Sequence, residues 1–158
     1  MMNKLKTALI FLFCTISAGL LFLWWYLIAL SRNIECVSNY TIHNDTDKMS
    51  LLISRKLEHG KGTDTLIGRL YREGKVVGNI ERTINYRYIE ENSRYTMTTE
   101  TVLKGVHDDI SDKEMAGCLS SLYIKPGTQS VSVIKNIGIT GWMVYTSPVP
   151  LYFCRKES

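Results

Sequence analysis

KVVGNIERTINYRYIEE, residues 75–91, alternates between two kinds of side chain. Val76, Gly78, Ile80, Ile84, Tyr86 and Tyr88 share one face, with Arg82 as the exception, while Lys75, Asn79, Glu81, Thr83, Asn85 and Arg87 share the other. A period of two marks a strand with one buried face, so this stretch reads as a long antiparallel strand. Its neighbours extend the pattern. Glu73-Gly74 reads as a tight hairpin turn after a strand over about 64–72. RYTMTTETVLKG puts Tyr95, Met97, Thr99, Thr101 and Leu103 on one face and follows the polar turn Glu91-Asn92-Ser93. Three consecutive strands of this kind form a meander.

Two more strands, ECVSNYTIH and KMSLLISRKLE, precede it around a turn at 43–47. Downstream, ISDKEMAGCLSSLY changes period: Ser111 with Glu114 forms a capping box, and Met115, Leu119 and Leu122 recur at helical spacing. Pro126-Gly127 ends that short helix, and SVSVIKNI, TGWMVYTS and PLYFCRK supply three late strands. Pro148 and Pro150 suit an edge or a bend better than a central strand. The expected fold is mainly β with a minor α part: about eight antiparallel strands curling into a barrel or half-barrel, with one helix before the last three.

The N-terminal quarter is different. Residues 7–31 carry no charged side chain and no histidine. As a helix rising ~1.5 Å per residue they would span about 37 Å, enough to cross a hydrocarbon core of roughly 30 Å. A signal-peptide core is shorter, and the strongly apolar and aromatic residues after Ser17, Ala18 and Gly19 do not suit a cleaved leader. The expected organisation is a cytoplasmic tail (1–6), a transmembrane helix (7–31) and an exported domain (32–158). Lys4 and Lys6 favour an inside N-terminus, and Trp24, Trp25 and Tyr26 suit the outer membrane interface. With about six residues before the span, any function is expected on the outer side.

Without Lys4 and Lys6 the chain holds 17 Lys and Arg against 15 Asp and Glu, a net charge of +2 with no block of one sign, which argues against direct nucleic-acid binding. His43, His59 and His107 are dispersed in or beside polar turns, and no nucleophile, metal or phosphate-loop motif occurs. Asp108, Asp109 and Asp112 lack calcium-loop spacing and read as a solvated loop entering a helix N-terminus. No enzyme activity, metal or cofactor is expected.

Cys14 lies inside the apolar segment, which leaves Cys36, Cys118 and Cys154 for an oxidising compartment. Cys36 opens the first strand and Cys154 closes the last, and in a sheet curled into a barrel these strands can lie side by side. Cys36 with Cys154 is the expected disulfide, and Cys118 with Cys154 is the rival.

A short basic N-terminus, one span, IECVSNY beyond it, the run RLYREGKVVGNIERTINYRYIE and the ending TSPVPLYFCRK together resemble the FidL-like membrane proteins of enteric bacteria. The resemblance implies recurring cysteines at Cys36 and Cys154 and a lipocalin-like barrel. It also implies a bacterial inner-membrane location with a periplasmic domain. That domain would form a heterodimer with a ToxR-like transmembrane transcription regulator in virulence signalling, a layout similar to ToxS or VtrC. A bile salt or another small apolar molecule would be the ligand, and Ile80, Ile84, Tyr86, Tyr88 and Met97 are the expected ligand or core face. A stand-alone lipid-binding or chaperone-like envelope protein is the alternative.

Overall fold

The computed structural model describes residues 2–30, 33–44, 47–146 and 149–157; the side chains of residues 2–5, 7–9, 27–30, 149 and 150 lie outside that description. Two compact units result, Met1–Asn33 and Ile34–Ser158. The first is helix α1 (Met2–Leu30). Among the described residues no helix is long and apolar enough to cross a membrane. Trp24, Trp25 and Tyr26 are exposed on α1.

The second unit is a closed barrel of eight strands in sequence order, all neighbours antiparallel. The strands are β1 (Ile34–Asn44), β2 (Asp47–Glu58), β3 (Lys61–Arg72), β4 (Lys75–Glu91), β5 (Arg94–Lys104), β6 (Gln129–Asn136), β7 (Gly141–Thr146) and β8 (Val149–Lys156). Helix α2 (Asp112–Ala116) and a 3-10 turn (Ser121–Tyr123) lie between β5 and β6. Three hairpins close on residue pairs with positive φ, His59-Gly60, Glu73-Gly74 and Asn92-Ser93. Paired positive φ matches the twist of the flanking strands, which makes two-residue loops possible here. Residues 45–46 of the expected first turn, and Pro148, lie outside the described residues.

An eight-stranded barrel is just wide enough to be filled by its own side chains. Met49, Leu51, Ile53 and Leu57 of β2, Leu66 and Leu70 of β3, and Ile80, Ile84 and Tyr86 of β4 fill it with almost no exposed surface. The alternation on β4 holds from Gly78 to Tyr88 and fails at Val76, which is 52% exposed. The cause is a bulge: Leu70 faces Gly78 while Tyr71 faces Val76, so Val77 is an extra residue and the phase inverts. A second bulge at Glu100 does the same to β5. Tyr95, Met97 and Thr99 point inward as expected, but beyond the bulge Val102 packs on the core, and Thr101 and Leu103 turn outward.

The capping box forms as expected, Ser111 Oγ accepting from the Glu114 amide while the Glu114 carboxylate accepts from the Ser111 amide. It launches a segment that returns to the barrel and adds Met115, Leu122, Tyr123 and Ile124 to the core.

The sheet closes by pairing β1 with β8, through Cys36 opposite Lys156 and Val37 opposite Arg155. This seam is short among the described residues, and the Cys36–Cys154 disulfide reinforces it. The barrel therefore closes within one chain and is not a half-barrel. Because the bridge spans 118 residues, it restricts the unfolded chain strongly. Replacing both cysteines by Ala is expected to lower stability by about 4 kcal/mol in urea denaturation; an unchanged midpoint would contradict a stabilising seam.

Candidate functional site

Alternation places a charged residue inward on each of two adjacent strands. Arg55 follows Met49, Leu51 and Ile53 in phase on β2, and Asp64 lies in phase with Leu66 and Leu70 on β3. The His59-Gly60 hairpin sets them directly opposite each other. Arg55 Nε donates to Asp64 Oδ1 at 2.8 Å and Nη2 donates to Oδ2. Tyr86 also donates to Asp64 Oδ1 at 2.8 Å, and Arg55 Nη2 reaches the Tyr123 hydroxyl at 3.1 Å. Gly62 makes room for this network, since a Cβ there would lie 2.2 Å from the Tyr86 ring.

Burial is the largest single influence and opposes the charge on Arg55, but the Asp64 carboxylate together with the Tyr152, Tyr86 and Tyr123 phenols outweighs it and holds the guanidinium well above its ordinary pKa. Burial likewise pushes the phenols of Tyr86, Tyr123 and Tyr152 upward. This ion pair in the barrel interior is thus ringed by neutral tyrosines.

A second buried arginine provides a comparison. Arg82, the exception in the apolar face of β4, points inward and uses all three nitrogens. Nε donates to Asp108 at 2.9 Å, Nη1 to Asp112 at 2.8 Å and Nη2 to the Ile110 carbonyl at 2.9 Å. Asp108 is therefore a buried counter-ion rather than part of a solvated loop, which corrects the sequence reading. Its pairing ties residues 108–112 to β4. Arg55 differs, because its Nη1 has no hydrogen-bond partner among the described residues.

Arg55 lines a cleft of about 210 Å³. Tyr40, Ile53, Val144, Leu151 and Tyr152 come from the strands, Cys118, Leu119, Ser120, Leu122 and Tyr123 from the returning segment, and Ser130, Ser132 and Thr146 add hydroxyls. The Arg55 guanidinium lies 5.8 Å from the centre of the Tyr152 ring. Tyr152 is buried and its hydroxyl also meets no partner with hydrogen-bonding geometry, although it is close enough to Tyr123 for the two phenols to affect each other's acidity.

The expected ligand or core face lies away from this cleft. Ile80, Ile84, Tyr86 and Met97 are packed core, Tyr88 is half-buried against Tyr95, and none of the five lines the cleft. Cys118 is a free, half-buried thiol, so the rival disulfide does not form. Burial raises its pKa, with a smaller contribution from Asp47, which makes it a poor nucleophile. His43, His59 and His107 are exposed. Among the described residues no group of three metal-binding side chains converges. The arrangement suits binding: an apolar cleft with a few donors at its inner end.

The family model for the YqeJ C-terminal domain matches residues 33–154, the barrel almost entirely. The chain belongs to the YqeJ C-terminal domain family. No curated protein and no solved structure matches it. The family assignment falls on the barrel, and none of these comparisons points to FidL-like proteins or to a ToxR-like partner.

Two measurements test the buried network. Asp64→Asn leaves Arg55 uncompensated and is expected to cost about 3–5 kcal/mol, whereas Arg55→Met with Asp64→Leu should recover most of that loss; a cost below about 1 kcal/mol for the single variant would contradict the pairing. The raised phenols favour their protonated forms in the folded state. Their stabilising effect is fully present below the ordinary tyrosine pKa near 10 and is lost as pH rises through the folded values. In ultraviolet titration three of the nine tyrosines should ionise only as the barrel unfolds; reversible ionisation of all nine near pH 10 would contradict their burial.

Proposed function

We propose that this chain is an exported, membrane-anchored ligand-binding barrel that serves as the co-component of a ToxR-like transcription regulator. The Cys36–Cys154 disulfide carries the reading, because such bridges persist in oxidising compartments and this one closes the fold. The uncharged run over 7–31 supports an anchor, as do the exposed aromatic residues of α1, and Lys4 and Lys6 favour a cytoplasmic N-terminus. The barrel would then stand in the periplasm, on the inner membrane. A barrel there has no access to DNA, so an effect on transcription requires a partner whose own chain crosses the membrane.

Closure of the barrel changes the form of this partnership. With β1 already paired to β8, the regulator has no missing strand to supply, and contact would be made on the outside of the barrel. The ligand would be small and largely apolar, held in the cleft beside Arg55. A water occupies about 30 Å³ of liquid, so the cleft has room for roughly seven heavy-atom groups, fewer than a bile salt contains. The same closure favours a second reading, a barrel that binds its ligand without any regulator.

Fusing alkaline phosphatase after residue 158 is expected to give an active reporter, and the tagged full chain should co-purify with the ToxR-like regulator of the same cell. An inactive reporter would contradict export. An active reporter with no complex at micromolar concentrations would remove the regulator and leave the stand-alone barrel.

A further inference from the structure

The two buried arginines share a barrel but differ in one respect. Arg82 has every nitrogen engaged by protein acceptors, as an arginine with a purely structural role should. Arg55 is 1% exposed and holds Asp64 with Nε and Nη2, yet Nη1 has no acceptor and the residue lines the cleft. Leaving a buried donor unmade is costly. Tyr152, stacked near the same guanidinium, repeats the situation with its hydroxyl. Two buried donors that meet no acceptor with hydrogen-bonding geometry among the described residues therefore border one cleft, whose other walls are mostly apolar.

We propose that the cleft binds a small uncharged molecule of roughly seven heavy atoms, largely apolar, with a carbonyl oxygen such as that of an amide accepting hydrogen bonds from Arg55 Nη1 and the Tyr152 hydroxyl. A carbonyl oxygen has two lone pairs and can accept from both donors. The charge balance selects a neutral ligand. Asp64 already neutralises Arg55, and among the described residues the cleft lining contains no other cationic or anionic side chain, so a carboxylate would bring in a buried charge with no counter-ion of its own. Where water serves the two donors, a carbonyl oxygen that makes the same bonds replaces it without loss. Ile53, Leu119, Val144 and Leu151 provide the apolar contact for the rest of the molecule.

This inference rests on the proposed function only for the idea that the barrel binds a ligand; it requires no regulator. Cys118 reports on the cleft because it lines it, and in the full chain carrying Cys14→Ser it is the one thiol outside the disulfide. The test measures the rate of Cys118 alkylation by iodoacetamide in lipid nanodiscs, by intact mass, with pentanamide or pentanoate added. Pentanamide is expected to protect Cys118 at about millimolar concentration or below, the range a ligand of that size reaches, and pentanoate to protect less. Tyr152→Phe keeps the ring and removes only a hydroxyl that meets no partner with good hydrogen-bonding geometry, its neighbour being the Tyr123 phenol. It should leave the melting temperature unchanged while raising the half-protecting pentanamide concentration about five- to tenfold. Protection by neither compound, protection by pentanoate alone, or protection unaffected by Tyr152→Phe would each overturn the proposal. Failure to co-purify a regulator would leave this result untouched, and failure here would leave the partnership open to its own test.

Discussion

The barrel is organised around an ion pair in a place where charge is expensive. Arg55 and Asp64 face each other across two strands, with one side chain 1% exposed and the other fully enclosed. Such a pair is better tolerated as more of its remaining lone pairs and protons are met, and two interior phenols serve that purpose. Tyr86 binds the carboxylate, Tyr123 accepts from the guanidinium, and Gly62 is small because the Tyr86 ring needs its space. The segment between β5 and β6 is recruited in turn, since Tyr123 belongs to it. The position of that segment beside Arg55 creates the cleft, so the ion pair and the candidate site are one construction.

The second constraint is closure. A sheet with free edges invites pairing with other chains, and joining β1 to β8 removes both edges. The disulfide fixes that join near the ends of the chain's first and last strands, in agreement with an oxidising compartment. Closure also limits how a partner can act on the barrel. A regulator would have to read its outer surface or its loops, and a bound ligand would have to change one of these to be felt.

Much of the fold was legible in local patterns. The alternation in residues 75–91, the turn residues and the capping box at Ser111 led to eight strands and one helix in the order found. Bulges at Val77 and Glu100 were not legible, because a one-residue insertion depends on how neighbouring strands pair; they moved Val76, Thr101 and Leu103 off the inner face. The family resemblance pointed toward FidL-like proteins, whereas the matching family is the YqeJ C-terminal domain. The candidate site was the least legible part. Its lining comes from β1, β2, β6, β7, β8 and the returning segment, while the face on β4 and β5 expected to be ligand site or core is core. One signal was available: Arg55 and Asp64 are charged residues on otherwise apolar faces, placed symmetrically about a two-residue turn. Arg82 was noticed as an exception, but its partner Asp108 was assigned to solvent.

The account turns on the claim that Arg55 is locked by Asp64 on one side and open to the cleft on the other. Nuclear magnetic resonance of the full chain with ¹⁵N-labelled arginine addresses this directly, because a guanidinium held at Nε and Nη2 rotates slowly and gives separate signals for its nitrogens. The account expects slow, resolved Arg55 signals, of which Nη1 shifts most when pentanamide is added while the Arg82 signals stay in place. A rapidly rotating Arg55 guanidinium, or Arg55 and Arg82 signals that respond alike, would contradict it.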